Sequence, residues 1–168
     1  MPRAWVGIGS NIGDRLDYIR RALGAISELP NTGLVAVSSV YDTVPVGAIG
    51  QPRFLNAVAG LSTEIPPLEL LRSLLAIEEE CGRVRTAVWG PRTLDLDLLL
   101  YDEIVVHTAE LTLPHPRARG RAFVLVPLAE IAPDLVFPGE TESVSRWVES
   151  FGDLSGSVRR AGAPPKPA

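Results

Sequence analysis

The chain has 168 residues, 46% of them hydrophobic and 21% charged, with a formal net charge of -4 and a pI near 5.2. That profile fits one globular domain with its own core and argues against a general nucleic-acid binder, which carries a basic footprint. Cys81 is the only cysteine and His107 and His115 the only histidines, so neither an internal disulfide nor a Cys/His zinc cage is expected, and a bound metal would have to sit on oxygen ligands. Apolar runs fall short of the ~20 residues of a membrane span, and residues 1–10 lack the pattern of a signal peptide. A cytoplasmic protein is the expectation, with no membrane partner.

Residues 6–9 read as a short apolar strand, and Leu16, Ile19, Leu23 and Ile26 follow at the spacings of an amphipathic helix. Pro30 and Gly33 end that helix, and the β-branched stretch 35–41 predicts a second strand. A loop with Pro45, Gly47, Gly50 and Pro52 leads into residues 54–63. There Leu55, Ala57, Ala59 and Leu61 alternate with Phe54, Asn56, Val58 and Gly60, which predicts a strand with two distinct faces. Pro66 and Pro67 suit a helix start, and Leu70, Leu74, Ile77 and Cys81 keep helical spacing up to Gly82.

Residues 94–101 alternate again, with Leu94, Leu96, Leu98 and Leu100 on one face and Asp95, Asp97, Leu99 and Tyr101 on the other. Asp102 and Glu103 turn the chain into residues 104–107, and Pro114 and Pro116 keep the next segment irregular. Val144, Trp147, Val148 and Phe151 predict a last short helix. The order β-α-β-β-α-β predicts an α+β fold, a ferredoxin-like sandwich with a mostly antiparallel sheet and helices packed on one face. A single domain is expected over residues 1–151, with 152–168, rich in Gly, Ser and Pro, as a mobile tail.

Asp95 and Asp97 stand two apart on a strand whose other face is leucine, so both carboxylates project to one side. Paired hard oxygen ligands suit Mg²⁺ shared with a polyphosphate; the alternative is a solvated strand face. Just upstream lie Arg83, Arg85 and Arg92 with Trp89, and Arg117, Arg119 and Arg121 follow His115. A guanidinium offers a planar fork of donors to phosphate oxygens, so arginines clustered about a carboxylate pair suggest a polyphosphate cradle, although each alone reads as a surface charge. Lys166 is the only lysine and lies in the tail, which excludes the P-loop and protein-kinase designs. The glycines at 7, 9 and 13 have the wrong spacing for a dinucleotide fingerprint. They read as a tight strand-to-helix connection capped by Asn11 or Asp14.

The run Gly82-Arg83-Val84-Arg85, followed by residues 89–100 (WGPRTLDLDLLL), resembles the signature of the 6-hydroxymethyl-7,8-dihydropterin pyrophosphokinases. Supporting matches in the same order are Gly9-Ser10-Asn11, Thr43 with Pro45, Gln51-Pro52 with Phe54-Leu55-Asn56, Pro114-His115-Pro116, and Arg121 with Phe123, so the resemblance spans about residues 6–139. It implies a ferredoxin-like fold and a reaction in which the pterin hydroxymethyl oxygen attacks the β-phosphorus of ATP and AMP leaves, a step of folate biosynthesis.

On that resemblance Asp95 and Asp97 hold two Mg²⁺, and Asp97, Arg83 and Arg92 are the catalytic set, Asp97 also being a candidate acceptor of the hydroxyl proton. Arg83, Arg85, Trp89, Arg92, His115 and Arg121 would bind ATP, joined by Leu98 and Thr112, with Glu78 orienting Arg83 or Arg85. Phe54 and Phe123 would be the plates around the pterin, with Asn56 and Asp95 at its polar edge and residues Thr43, Val44, Pro45 and Val46 completing it. Without the resemblance the two phenylalanines would be ordinary core residues and Glu78 a surface ion pair. Three features depart from the family pattern: a short, uncharged 86–88 stretch before Trp89, Glu110 in place of a base, and Pro116 in place of an aromatic. The partners implied are ATP and the pterin, no nucleic acid, and a monomeric chain. An Mg²⁺-dependent nucleotidyl transferase and a non-catalytic anion-binding domain are the alternative readings.

Overall fold

The computed structural model describes residues 1–45, 50–82 and 93–168. Its sheet follows the order β5-β1-β4-β3-β8, with β2 also pairing β4, and every described pairing is antiparallel. The strands are β1 (Arg3–Ser10), β2 (Thr32–Val37), β3 (Val40–Thr43), β4 (Phe54–Thr63), β5 (Asp95–Tyr101) and β8 (Val158–Gly162). A separate hairpin joins β6 (Val106–His107) to β7 (Thr112–Leu113). The helices are α1 (Arg15–Ser27), α2 (Pro67–Glu80), α3 (Ala122–Ile131) and α4 (Val144–Ser150). The expected α+β, ferredoxin-like sandwich is what forms.

One face of the sheet carries Leu55, Ala57, Ala59 and Leu61 of β4 into a core shared with Ile19, Leu23 and Ile26 of α1 and Leu70, Leu74 and Ile77 of α2. Asp14 caps α1, its carboxylate accepting from the Asp17 N–H at 3.0 Å. Leu16 departs from its expected place and is 43% exposed. At about 100° per residue it lies roughly 70° around the helix from the centre of the stripe of Ile19, Ala22, Leu23 and Ile26.

Helices cover both faces rather than one. Trp5, Val58, Leu99 and Leu100 form a second core with Val124, Leu125 and Leu128 of α3 and with Val144 and Trp147 of α4. Helix α3 escaped the periodicity argument because AFVLVPLAEI is apolar almost all round and contains Pro127.

Strand β5 also departs from strict alternation. Val6 pairs with Leu98 and Trp5 with Leu100, so Leu99 is an extra residue, a bulge that reverses the facing of everything after it. Leu94, Leu96 and Leu98 point to the α1/α2 core as expected, but Leu100 joins the α3/α4 core and Tyr101 the α1/α2 core.

The predicted strand at 35–41 is broken between β2 and β3 by Ser38 and Ser39, both fully buried. Ser38 keeps the ladder going: its N–H donates to the Val58 carbonyl and its Oγ accepts from the Val58 N–H, each at 2.9 Å. The tail, expected to be mobile, instead carries a strand of the sheet. β8 pairs with β3, the Val44 N–H donates to the Ser157 carbonyl at 3.0 Å, and Ala168 N–H donates to the Arg20 carbonyl at 2.9 Å. Strand pairing uses main-chain groups, so a segment poor in apolar side chains can still be fixed by an open strand edge. The folded unit therefore continues past residue 151.

Candidate active site

The α3 face of the sheet has a trough floored by glycine. On β1, Gly7 sits between Asp97 and Val58, and Gly9 between Asp95 and Asn56. A Cβ at Gly9 would lie 2.6 Å from Asn56 Oδ1 and 3.5 Å from a Phe54 ring carbon. Glycine at position 9 is what lets those two side chains lie across the strand. Asn56 is 7% exposed, and its Nδ2 donates to Thr43 Oγ1 at 2.6 Å. Asn11 pins the adjoining loop, its Nδ2 donating to Gln51 Oε1 at 3.3 Å and to the Pro52 carbonyl at 3.2 Å.

Above this floor lies a cavity of about 790 Å³, counting its open mouth. Thr43, Val44, Pro45, Phe54 and Asn56 wall one side and Phe123 and Val124 of α3 the other, with Asp95, Asp97 and Arg121 at one end. Six of the residues expected around the pterin, Thr43, Val44, Pro45, Phe54, Asn56 and Phe123, therefore share one cavity with the carboxylate pair and one expected phosphate ligand. The apolar walls with few convergent polar groups are the usual make-up of a small-molecule site.

At the charged end Asp97 faces a guanidinium and an imidazole. Arg121 Nη1 lies 3.8 Å from one carboxylate oxygen and His115 Nε2 3.9 Å from the other. The bulge helps to place the histidine, because the His115 N–H donates to the carbonyl of Leu99 at 2.8 Å. His115 Nδ1 accepts from the Arg117 N–H at 3.2 Å, which fixes the tautomer with hydrogen on Nε2, the atom toward Asp97. Burial first, then the Arg121 and Arg117 charges, push the His115 pKa down to about 4, against a smaller opposing pull from Asp95. The ring is therefore a neutral donor near pH 7. Arg121 also stacks on Phe123, 5.5 Å from the ring centroid, which ties the cationic end to the aromatic wall.

Glu78 is buried, only 2% exposed, and its carboxylate accepts from the Leu96 N–H at 2.6 Å, between the two aspartates. Glu78 is thus no surface residue, and it anchors the main chain of β5. Glu110 forms a two-point ion pair with Arg72 of α2, at 2.9 and 3.1 Å. Leu98 turns its side chain into the α1/α2 core, and Thr112 lies on β7; neither lines the cavity. Val46, Arg83, Arg85, Trp89 and Arg92 lie outside the described residues, as does any pairing of Glu78 with an arginine of 83–92. Sequence reasoning missed Gly7, Val58 and Val124 as lining residues. A Gly-x-Gly in a strand, placing two glycines on one face, was a usable signal for the first; Val124 needed α3.

The family model for 7,8-dihydro-6-hydroxymethylpterin-pyrophosphokinase (HPPK) matches residues 5–133. The 2-amino-4-hydroxy-6-hydroxymethyldihydropteridine pyrophosphokinase of Pseudomonas aeruginosa is 52% identical over 136 residues, 81% of this chain and 84% of that one. The enzyme of the same name from Haemophilus influenzae is 46% identical over 153 residues, 91% of this chain and 95% of that one. A crystal structure of Plasmodium falciparum HPPK-DHPS with pterin and p-hydroxybenzoate shares the fold, with a TM-score of 0.71 at 15% identity, over 89% of this chain and 42% of that one. No helix among the described residues is long and apolar enough to cross a membrane. With most of its length matched by the family model and relatives near half identical, the chain belongs to the 7,8-dihydro-6-hydroxymethylpterin pyrophosphokinase family.

Proposed function

We propose that this ATP-dependent diphosphokinase of folate biosynthesis moves pyrophosphate from ATP to 6-hydroxymethyl-7,8-dihydropterin in the cavity above Gly7 and Gly9, yielding AMP and the pterin diphosphate. The observation that carries the assignment is that one cavity joins an aromatic slot, edged by a fixed amide, to a carboxylate pair that faces Arg121 and His115. Phe54 and Phe123 hold the flat ring between them, and Asn56, its amide oriented by Thr43, reads the ring's polar edge. The hydroxymethyl group then points toward Asp95 and Asp97. Binding in this slot holds the attacking oxygen near the triphosphate, which removes much of the entropic cost of a two-substrate encounter.

Asp95 and Asp97 suit Mg²⁺. They are hard oxygen donors, both partly exposed on one strand face at the mouth of a trough that substrate oxygens and water can share. The chemistry that two bound Mg²⁺ supply is neutralisation of the triphosphate and polarisation of the attacking and leaving oxygens. Arg121 binds phosphate as a fork of donors, and neutral His115 donates its Nε2–H to a phosphate oxygen. Arg83, Arg85, Arg92 and Trp89 are assigned to ATP by their match to the family signature. Glu78 holds the Leu96 main chain and so fixes the separation of the aspartates on β5. We further read the protein as a cytoplasmic monomer that binds no nucleic acid.

The test is AMP release from ATP and Mg²⁺, with and without 6-hydroxymethyl-7,8-dihydropterin, followed by mass analysis of the pterin. AMP that depends on the pterin, together with a diphosphorylated pterin, is the expected result. ADP release, or untouched ATP in the presence of both substrates, would overturn the assignment.

A further inference from the structure

Where the edge strand breaks between β2 and β3, the Ser39 N–H is turned out of the ladder, and a carboxylate from the other side of the cavity meets it. Glu130, in the last turn of α3, accepts from the Ser39 N–H with both oxygens, at 3.0 and 3.2 Å. It also accepts from Ser39 Oγ at 2.9 Å and from the Tyr41 hydroxyl at 2.6 Å. Arg160 of β8 completes the cluster, its Nε donating to Ser39 Oγ at 2.9 Å. Ser39 and Tyr41 are 0% and 8% exposed, whereas Glu130 reaches down onto them from the surface.

This cluster ties together the two walls of the pterin slot. Thr43, two residues beyond Tyr41 on the same face of β3, orients Asn56 and lines the cavity. Phe123 lines it from α3, seven residues before Glu130. Seven residues at about 100° fall roughly 20° short of two full turns, so the ring and the carboxylate lie on the same helix face, about 10 Å apart along the axis. The carboxylate at one end of that face therefore sets how closely the ring at the other end can approach the sheet. Burial, and the bond to Glu130, raise the Tyr41 pKa, which keeps its hydroxyl a donor across the working pH range.

We propose that Glu130 is a positioning residue for the pterin substrate, fixing the width of the slot between Phe123 and the β3/β4 wall through Ser39 and Tyr41. The proposal rests on the reading that the pterin occupies this slot. No contact to the triphosphate is involved, so the effect falls on one substrate only.

Steady-state kinetics with each substrate varied in turn, on the full chain, tests this with Glu130→Ala, Glu130→Gln and Tyr41→Phe, and with Phe123→Ala as the control for the slot. Glu130→Ala is expected to raise KM for the pterin about tenfold while KM for ATP stays within about twofold. Glu130→Gln retains an acceptor and should recover part of the loss. Tyr41→Phe, which removes a single hydroxyl and keeps the ring, should raise the pterin KM about threefold and serves if Glu130→Ala does not fold. Equal shifts in both KM values, or a folded Glu130→Ala or Tyr41→Phe with an unchanged pterin KM while Phe123→Ala raises it, would overturn the positioning role. An unchanged pterin KM in Phe123→Ala would instead sink the slot itself.

Discussion

Gly9→Ala is the most informative single change at the site, because the structure states what the added methyl meets. Its Cβ would stand 2.6 Å from Asn56 Oδ1, well inside contact distance, and 3.5 Å from the Phe54 ring. Relief requires the Asn56 side chain to turn away, which breaks its 2.6 Å bond to Thr43 Oγ1 in a site only 7% exposed. Overpacking of this kind costs about 1–3 kcal/mol. For a chain of this size that is roughly 3–9 °C in Tm, at about 3 °C per kcal/mol. Loss of the oriented amide should also weaken pterin binding about tenfold, equivalent to ~1.4 kcal/mol, with ATP unaffected. Thermal melts and pterin titrations of three variants give the answer. In Asn56→Ala the obstructing oxygen is gone, so adding Gly9→Ala to it should cost no more than about 0.5 kcal/mol, a non-additivity that marks direct contact. A Gly9→Ala protein with wild-type Tm and wild-type pterin affinity would refute the reasoning, as would additive losses in the double variant.

Asp97→Ala should lower turnover by about a thousandfold or more while leaving the melting temperature within a few degrees, since it removes a partly exposed carboxylate rather than a core group; product mass analysis across an Mg²⁺ titration checks it. His115 gives a pH signature in the ligand-free protein. Its folded pKa lies near 4, below the ordinary 6.5, so the unfolded chain binds the extra proton first and stability falls as pH drops from about 6.5 toward 4. Melts of His115→Gln should accordingly lose less Tm over that window than the parent. Removing residues 153–168 deprives β3 of its β8 partner and the Val44 N–H of the Ser157 carbonyl. Tm should drop by about 5 °C or more, and the pterin KM should rise; unchanged values would mean that the tail contributes nothing to the β3 wall.

Much of this arrangement was legible because it depends on local periodicity. The alternation in 54–63 assigned Asn56 and Phe54 to one face and the leucines to the other, and the two aspartates of β5 fell on a common face as two-residue spacing requires. The bulge was not legible, since nothing in the run Leu98-Leu99-Leu100-Tyr101 says that Leu99 will be unpaired; that is decided by the register with Trp5 and Val6. Helix α3 was hidden by its own apolarity, and with it Val124 and the reach of Glu130 to Ser39. Phe123 entered the candidate site only through the family resemblance, because an aromatic residue in an apolar run has no pattern that separates a cavity wall from a core side chain. The tail was misread because composition reports on side chains, whereas its fixing comes from main-chain donors and acceptors.

Both margins of the sheet also bear on how the protein behaves in concentrated solution. A strand with open donors and acceptors is a template on which another copy can add, and such edges are where sheets join end to end into aggregates. Here β3 is shielded by β8, itself only five residues long and carrying exposed Arg159, so an approaching copy meets a short, charged edge in place of a flat apolar ribbon. At the opposite margin the Glu78 carboxylate already occupies the Leu96 donor of β5. A segment that adds little to the hydrophobic core thus helps to keep one molecule's sheet from being extended by the next.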